Sequence, residues 1–248
     1  MEISACIITR NEEANLPRCL ESLAGVADEI IIVDSGSTDR TPFIATDHSA
    51  RFIRHDWEGY AAQKNFALSK ARHDWVLSID ADEALSSELK AELLALKGAG
   101  PSSGASGYSV PRVVFYQGTW IRFGDWHPDV LVRLFRKDRA RFAGARVHER
   151  LEVDGPVLPL QGELHHHSFK DEADYRARME HYSALWAEGA REAGKTAAPW
   201  TGPCRAVARF LRSYLLKGGC KGGALGLRLA WLQATEVAMK YRKLRVLR

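Results

Sequence analysis

The segment WVLSIDADE, residues 75–83, contains the pattern that decides the fold. Its first five residues are uncharged and mostly apolar, which is typical of a strand buried on both faces of a sheet. Asp80 and Asp82 follow directly, and in extended backbone residues i and i+2 point the same way. The two carboxylates would therefore face one spot at the end of the strand. They could share a hard divalent cation, which prefers oxygen ligands; a solvated acidic turn is the alternative.

Two apolar segments upstream also end in polar clusters. The sequence ISACIIT at residues 3–9 is followed by RNEE, and EIIIVD at residues 29–34 is followed by SGSTD. Strands that alternate with amphipathic helices predict an α/β fold with a mostly parallel, doubly wound sheet, in which ligands bind beyond the carboxyl ends of the strands. We expect strands at residues 3–9, 30–33, 52–53 and 75–79. We expect helices at residues 16–23, 60–71 and 85–97, and a short helix that begins near residue 41.

The second half of the chain has a different composition. A Gly/Ser/Pro-rich loop at residues 98–107 is followed by an aromatic-rich, irregular segment at 115–128. We expect strands at residues 108–115, 130–135 and 157–167, and helices at 171–193 and 204–247, the last broken at two glycine pairs. The predicted organisation is an α/β domain over residues 1–170, with halves at 1–97 and 108–170, and a helical C-terminal extension over 171–248.

Charge is distributed unevenly along the 248 residues. A composition of 46% hydrophobic and 27% charged residues is that of a globular protein and excludes a disordered chain. From Pro199 onward eleven Lys or Arg residues face one acid, Glu236, so this segment carries +10 and the first 198 residues carry −6. A basic amphipathic helix suits an anionic membrane surface, with nucleic acid or a solvated face as alternatives. No zinc-finger, helix-turn-helix or RNA-binding signature accompanies it, so we predict membrane contact and no nucleic-acid contact.

Cysteine usage and hydropathy indicate the compartment. Cys6, Cys19, Cys204 and Cys220 form no CxxC pair, which favours reduced thiols over a disulfide framework or a zinc ribbon. The neutral run at residues 4–9 is too short for a signal peptide, and no uncharged apolar run approaches the ~20 residues of a spanning helix. We expect a cytoplasmic protein that is peripheral on the inner membrane.

Three motifs give the chain a family resemblance. IITRNEE at residues 7–13, EIIIVDSGSTDRT at 29–41 and DADE at 80–83 resemble the inverting family 2 glycosyltransferases of the GT-A fold. Within that family the chain is similar to bacterial lipopolysaccharide inner-core β-1,4-glucosyltransferases. The segments that carry this closer similarity are AQKNFAL at residues 62–68, WHPD at 126–129, RLFR at 133–136, VHE at 147–149 and HHSF at 166–169.

The resemblance implies a nucleotide-sugar site at the strand ends, formed by Thr9, Arg10, Glu12, Asp34, Lys64 and Asp80. It places Thr9, Glu12 and Asp34 around the base and ribose, whereas many relatives carry an aromatic residue at the position of Arg10. Lys64 would reach the same pocket or the diphosphate, and Asp80 the ribose side. Asp82 would bind the metal, Mg²⁺ or Mn²⁺, between the two phosphates. A cation there neutralises the charge that grows on the departing diphosphate.

An inverting transfer also needs a carboxylate that takes the proton of the attacking acceptor hydroxyl. The resemblance points to Glu149, which lies at about the position of the acidic base in relatives, and Asp129 is the second candidate. For either residue the alternative is a surface salt bridge to one of four nearby arginines. These are Arg133, Arg136, Arg146 and Arg150.

Histidine and aromatic clusters leave two interpretations open. Neighbouring strand residues alternate faces, so within His165-His166-His167 only the first and third can converge on one metal. His166 is interpreted as a structural histidine, with metal or diphosphate contact as the alternative. The aromatic residues Tyr116, Trp120 and Trp126 could stack on sugar rings or pack in a lid.

Together these features predict a metal-dependent inverting transferase. It would move a hexose, with UDP-glucose as the expected donor, to a heptose hydroxyl of a lipid-linked lipopolysaccharide core. Another surface glycan is the alternative within the class. A sugar nucleotidyltransferase would share the sheet and the paired acids, but it usually has a Gly-rich basic loop where this chain has RNEE. A non-catalytic glycan-binding module would not need the paired acids.

Overall fold

The computed structural model describes residues 1–144, 149–169 and 171–247 and divides into two compact units. The first unit comprises Met1–Arg112 and Asp129–His167, and the second comprises Val113–Pro128 and Ser168–Arg248. Sequence analysis grouped residues 113–128 with the α/β domain. In the structure this segment instead packs in one hydrophobic core with the C-terminal helices.

The strands and helices follow the predicted alternation. In chain order they are β1 (Ile3–Thr9), α1 (Leu16–Leu23), β2 (Glu29–Asp34), α2 (Thr41–Asp47), β3 (Arg51–Arg54), α3 (Tyr60–Lys70), β4 (Trp75–Ser78), β5 (Glu83–Leu85), α4 (Ser87–Ala99), β6 (Gly107–Tyr116), β7 (Thr119–Ile121), β8 (Asp129–Arg136), β9 (Ala140–Ala143), β10 (Arg150–Val153), β11 (Val157–Pro159), β12 (Leu164–His166), α5 (Glu172–Glu192), α6 (Thr201–Leu211) and α7 (Gly223–Val246).

The sheet of the first unit has the order β3-β2-β1-β4-β8-β6-β12-β5. Strands β3, β2, β1 and β4 are mutually parallel, as predicted for a doubly wound fold. Strand β8 pairs antiparallel with both β4 and β6, and β12 pairs antiparallel with β5, so the sheet is mixed. The carboxyl ends of β1, β2 and β4 therefore lie side by side, and the polar clusters of the sequence meet there.

Both faces of the parallel strands are buried. On one face Ile3 and Ile7 of β1 belong to the same core as Leu16 and Leu20 of α1. On the other face, residues of β1 and β2 pack with α3. Burial on two sides explains why these strands read as continuous apolar runs rather than as alternating patterns.

The second unit is built on helices α5, α6 and α7. Tyr116, Trp126, Phe169 and Tyr175 form an aromatic cluster in which the rings of Trp126 and Phe169 stack with centroids 5.5 Å apart. For Tyr116 and Trp126 the structure therefore supports packing within the unit. Within the described residues, no helix has both the length and the apolar character needed to cross a bilayer.

Candidate active site

The loops that follow β1 and β2 are joined by hydrogen bonds. The backbone N–H of Asn11 donates to Ser37 Oγ, and the side-chain oxygen of Asn11 accepts from the N–H of Thr38, both at 2.8 Å. The N–H of Glu12 donates to Thr41 Oγ1 at 2.8 Å. The paired loops form one wall at the carboxyl edge of the sheet.

Asp34 anchors the second of these loops. It is fully buried, and its carboxylate accepts hydrogen bonds from Thr9 Oγ1 at 2.9 Å, from the backbone N–H groups of Gly36 and Ser37, and from the Ser37 hydroxyl. A buried carboxylate is tolerated when its oxygens accept several such bonds. Thr9 and Asp34 thus hold the wall in place, and their contact with a nucleotide stays a prediction. Arg10 is exposed beside them.

Lys64 connects Asp80 with Glu149. This lysine of α3 is buried, and its Nζ lies 3.0 Å from Asp80 Oδ1 and 3.2 Å from Glu149 Oε1. The sequence predicted Lys64 and Asp80 in one pocket and Glu149 near the reacting sugar. The structure brings all three together within the first unit. Val147 and His148 of the same motif lie outside the described residues, as does Arg146.

Asp80 is held from its other side by Arg133. The guanidinium of Arg133 lies 2.8 Å from Asp80 Oδ2 and also contacts Glu83, whose side chain is fully buried. Burial alone would raise the pKa of Asp80, but the charges of Arg133 and Lys64 outweigh it and hold that pKa well below its usual range. Asp80 is therefore a carboxylate across the physiological pH range.

Asp129 lies at the opposite end of the same network. Arg112 donates to Asp129 Oδ2 through Nε at 2.8 Å and lies 3.1 Å from Glu83 Oε1. The predicted ion pair of Asp129 is therefore present, and it is formed with Arg112, which sequence analysis did not name. A network of alternating carboxylates and cationic side chains thus links the two candidates for the catalytic base. Its order is Glu149, Lys64, Asp80, Arg133, Glu83, Arg112 and Asp129.

Asp82 lies beside His166. Strand β12 pairs with β5 so that His166 is opposite Glu83, and the N–H of His167 donates to the carbonyl oxygen of Asp82 at 2.8 Å. This pairing places His166 Nε2 3.2 Å from Asp82 Oδ2. The contact brings His166 to the acid expected to bind the metal, and a role in metal or diphosphate contact stays a prediction. Burial, and then the charge of Arg18, lower the pKa of the neighbouring His167 to about 4.

The Asp82–His166 pair fits the expected divalent cation. A carboxylate oxygen suits Mg²⁺ and Mn²⁺, and imidazole nitrogen is the commonest side-chain metal ligand. Among the described residues no cluster of three or more His, Cys, Asp or Glu side chains forms a complete metal site. Two ligands would leave most coordination positions for substrate phosphates and water. Asp80, by contrast, already has two cations at its carboxylate, so the two acids of the DADE segment have different surroundings.

Sequence reasoning missed three participants of this site. Glu83 and Arg112 were not singled out, and Arg133 was considered only as a surface partner for the candidate bases. The spacing of DADE contained a hint for Glu83, because its Oε2 accepts from the N–H of Asp80 at 3.0 Å and closes the turn. The two arginines come from β6 and β8, and only the sheet order brings them to β4.

Comparison with known proteins identifies the class. A family model described as glycosyl transferase family 2 matches residues 4–141. An uncharacterized glycosyltransferase of Rickettsia typhi is 31% identical over 87% of this chain and 77% of its own length. The lipopolysaccharide core biosynthesis glycosyltransferase LpsC of Rhizobium meliloti is 34% identical over 91% of this chain and 85% of its own.

Solved structures show partial similarity. Glucosyl-3-phosphoglycerate synthase of Mycobacterium tuberculosis, crystallised with Mn²⁺, UDP and glucosyl-3-phosphoglycerate, has a TM-score of 0.36 and 27% identity. The match covers 47% of this chain and 44% of the synthase chain.

The family match, together with the mixed sheet and its acidic strand end, identifies a glycosyltransferase of the GT-A class. The chain belongs to glycosyltransferase family 2.

Proposed function

We propose that this glycosyltransferase is metal-dependent and inverting, and that it transfers a hexose, with glucose from UDP-glucose as the expected donor, to a heptose hydroxyl of the lipopolysaccharide inner core. The observation that carries the proposal is the pairing of Asp82 with His166 at the end of β4, next to the Asp80–Lys64–Glu149 cluster. The name of LpsC supports the lipopolysaccharide core as the acceptor.

Donor binding is assigned to the carboxyl edge of the sheet. The wall formed by the loops after β1 and β2 would carry the nucleoside through Thr9, Arg10, Glu12 and Asp34, and Asp80 would contact the ribose. Asp82 and His166 would hold the cation, and a ligand set that includes an imidazole nitrogen favours Mn²⁺ over Mg²⁺, which prefers oxygen ligands. When bound, the cation would supply positive charge opposite the leaving diphosphate.

Glu149 is assigned as the general base. Among the described residues it contacts the cation of Lys64 through Oε1, whereas Asp129 is bound by Arg112 through two nitrogens. A single displacement with inversion requires one carboxylate that accepts the acceptor proton, and a carboxylate that its cation contacts through one nitrogen rather than two is the better acceptor.

The acceptor is proposed to be lipid-linked and to be met at the inner membrane. The +10 charge of residues 199–248 supports contact between the C-terminal helices and an anionic membrane surface. The enzyme would then work as a peripheral protein on the cytoplasmic side.

Titration calorimetry of UDP in the presence of Mn²⁺ tests the metal site. We expect Asp82→Ala and His166→Ala each to lower the Mn²⁺-dependent affinity at least tenfold while the fold persists, because neither side chain belongs to the hydrophobic core. His165→Ala is the matched control, since it alters the neighbouring strand residue that faces the other side of β12. Unchanged affinity in both test variants would remove the metal from this pair.

A further inference from the structure

Large apolar side chains are exposed along α6 and the π-helical turn that follows it, Arg212–Leu216. Leu216 is 83% exposed, Val207 60% and Leu215 56%, and Leu211 is also exposed. Single exposed apolar residues are common, but a contiguous group of large ones marks an interaction surface.

The apolar face of α6 points away from the protein, unlike that of an ordinary surface helix. Val207, Leu211 and Leu215 recur every four residues and therefore share one face, and that face points to solvent. The opposite face carries Arg205, Arg209 and Arg212, and these three arginines line a groove of about 350 Å³ with α7 residues such as Tyr241. In a helix that packs on its own protein, the apolar stripe faces the core and the charges face water.

Helix α7 extends the apolar surface. Trp231 is 66% exposed, and Leu227, one helical turn earlier, is also exposed. The ring of Phe210 on α6 meets the ring of Trp231 edge to face with centroids 6.5 Å apart, so the two helices present one continuous surface. We name it the apolar face: Val207, Phe210, Leu211, Leu215, Leu216, Leu227 and Trp231.

Cations lie next to the apolar face in the sequence. Lys217 and Lys221 follow Leu216 directly, and both are exposed. The segment after Pro199 has a single acid, Glu236, and this acid pairs with Lys240. Within the part of the chain that the structure describes, neither Lys217 nor Lys221 has an ion pair. An apolar surface bordered by such lysines is complementary to a bilayer with anionic headgroups, whereas a second copy of this cationic surface would be repelled.

We propose that the apolar face inserts into the headgroup region of an anionic lipid bilayer. This deepens the proposed membrane contact, for which charge is the support given above, because insertion adds an apolar contribution that salt does not screen. The inference rests on the proposed function only for the choice of membrane; binding to vesicles requires neither donor nor acceptor.

Vesicle sedimentation of the full chain tests the insertion. With vesicles of phosphatidylglycerol and phosphatidylethanolamine, we expect the wild type to keep part of its binding in 0.5 M NaCl. The variant Leu215→Ser/Leu216→Ser should bind at least tenfold more weakly at that salt concentration. Val246→Ser is the matched control. Val246 is 79% exposed, a fraction similar to that of Leu216, but it lies fifteen residues beyond Trp231 on α7, about 22 Å along the helix.

Trp231 provides a second, independent readout. Lipids brominated near the headgroup should quench part of the tryptophan fluorescence of the wild type, and Trp231→Phe should remove that part. Equal sedimentation of the double variant and the wild type, or quenching that Trp231→Phe leaves unchanged, would overturn the proposal. So would concentration-dependent dimerisation, or binding to a nucleic-acid duplex, that the double variant abolishes while vesicle binding is unaffected. If the wild type binds vesicles but does not transfer the proposed sugar, the proposed function is contradicted and the assignment of the apolar face stands.

Discussion

Glu149 and Asp129 lie at the two ends of one charge network but have different partners. Lys64 contacts Glu149 at a single oxygen and at the same time contacts Asp80, the residue proposed to meet the donor. Arg112 donates hydrogen bonds both to Asp129 and to Glu83. The side chain proposed as the base is thus the one whose cation also belongs to the proposed donor site.

Substitution of the two acids separates their roles. We expect Glu149→Gln to lower the rate of transfer by two to four orders of magnitude, the usual contribution of general-base catalysis, and to change the affinity for UDP-sugar little. Asp129→Asn should affect the rate much less. The measurement is product formed on a purified acceptor, with donor affinity determined separately.

A reversed pattern, with transfer lost in Asp129→Asn and retained in Glu149→Gln, would move the base to Asp129. Weak donor binding in both variants would instead assign the network a structural role.

The lowered pKa of Asp80 has a consequence for stability. A carboxyl group with a lowered pKa in the folded state stabilises that state fully above its unfolded pKa of about 3.9 and loses this contribution as pH falls. We expect the stability difference between the wild type and Asp80→Asn to be constant from pH 5 to 7 and to shrink below about pH 4. Urea unfolding in the presence of a chelator measures it, and a difference that persists unchanged to pH 2 would contradict the assignment of the ion pairs.

Sequence analysis found Asp80 and Asp82 in a local pattern and named Lys64, Glu149 and Asp129 through the family resemblance. It missed Glu83, Arg112 and the contacts that join residues distant in the chain. Asp80 and Asp82 follow an apolar strand, and this pattern is contained within the nine residues 75–83. Glu149 meets Lys64 across 85 positions of the chain, and Arg133 meets Asp80 across 53. Such contacts are set by the order of strands in the sheet, and no spacing in the sequence encodes that order directly.

At the scale of elements, long strands and helices were predicted closely and four short strands were missed. The predicted strand 3–9 and helix 16–23 have the observed bounds of β1 and α1. Strands β5 and β7 have three residues each, and β9 and β10 have four, too few for a periodic pattern to be recognised. The omission of β5 mattered most, because its pairing with β12 brings His166 to Asp82.

Close packing around Gly226 of α7 leads to a prediction at this scale. A Cβ at this position would overlap the carbonyl oxygen of Gly219, so Gly226→Ala should lower the free energy of unfolding by about 1–3 kcal/mol or more. Gly189 of α5 has open space around the same position, and Gly189→Ala should raise the stability by about 1 kcal/mol through helix propensity. Urea titration followed by circular dichroism measures both, and similar changes in the two variants would mean that α7 does not approach Gly219 so closely.

At the scale of the whole molecule, the +10 segment predicts lipid-charge dependence. Truncation at residue 199 is a poor test, because Leu229 and Leu232 of α7 share a core with Tyr175 and Met179 of α5. Substitution of exposed cations leaves that core intact. We expect Lys217→Gln/Lys221→Gln to weaken binding to anionic vesicles about thirtyfold at low salt, since each cation contributes about 1 kcal/mol near such a surface.

The control variant removes the same number of positive charges from a different part of the chain. Arg54→Gln/Arg72→Gln removes two exposed charges from the first unit and should bind vesicles like the wild type. Equal weakening in both double variants would indicate that overall net charge, rather than the C-terminal segment, determines binding.

The proposed insertion of the outward apolar side of α6 would change the dimensionality of the encounter with substrate. An enzyme held on a bilayer meets a lipid-linked acceptor by diffusion in a plane, where tethering both molecules to one surface raises their effective concentration. Weak contacts to the acceptor saccharide would then be sufficient, and the protein surface near the reacting hydroxyl would need few residues devoted to sugar binding. The same saccharide detached from its lipid would have to be supplied at a far higher bulk concentration to be transferred at the same rate.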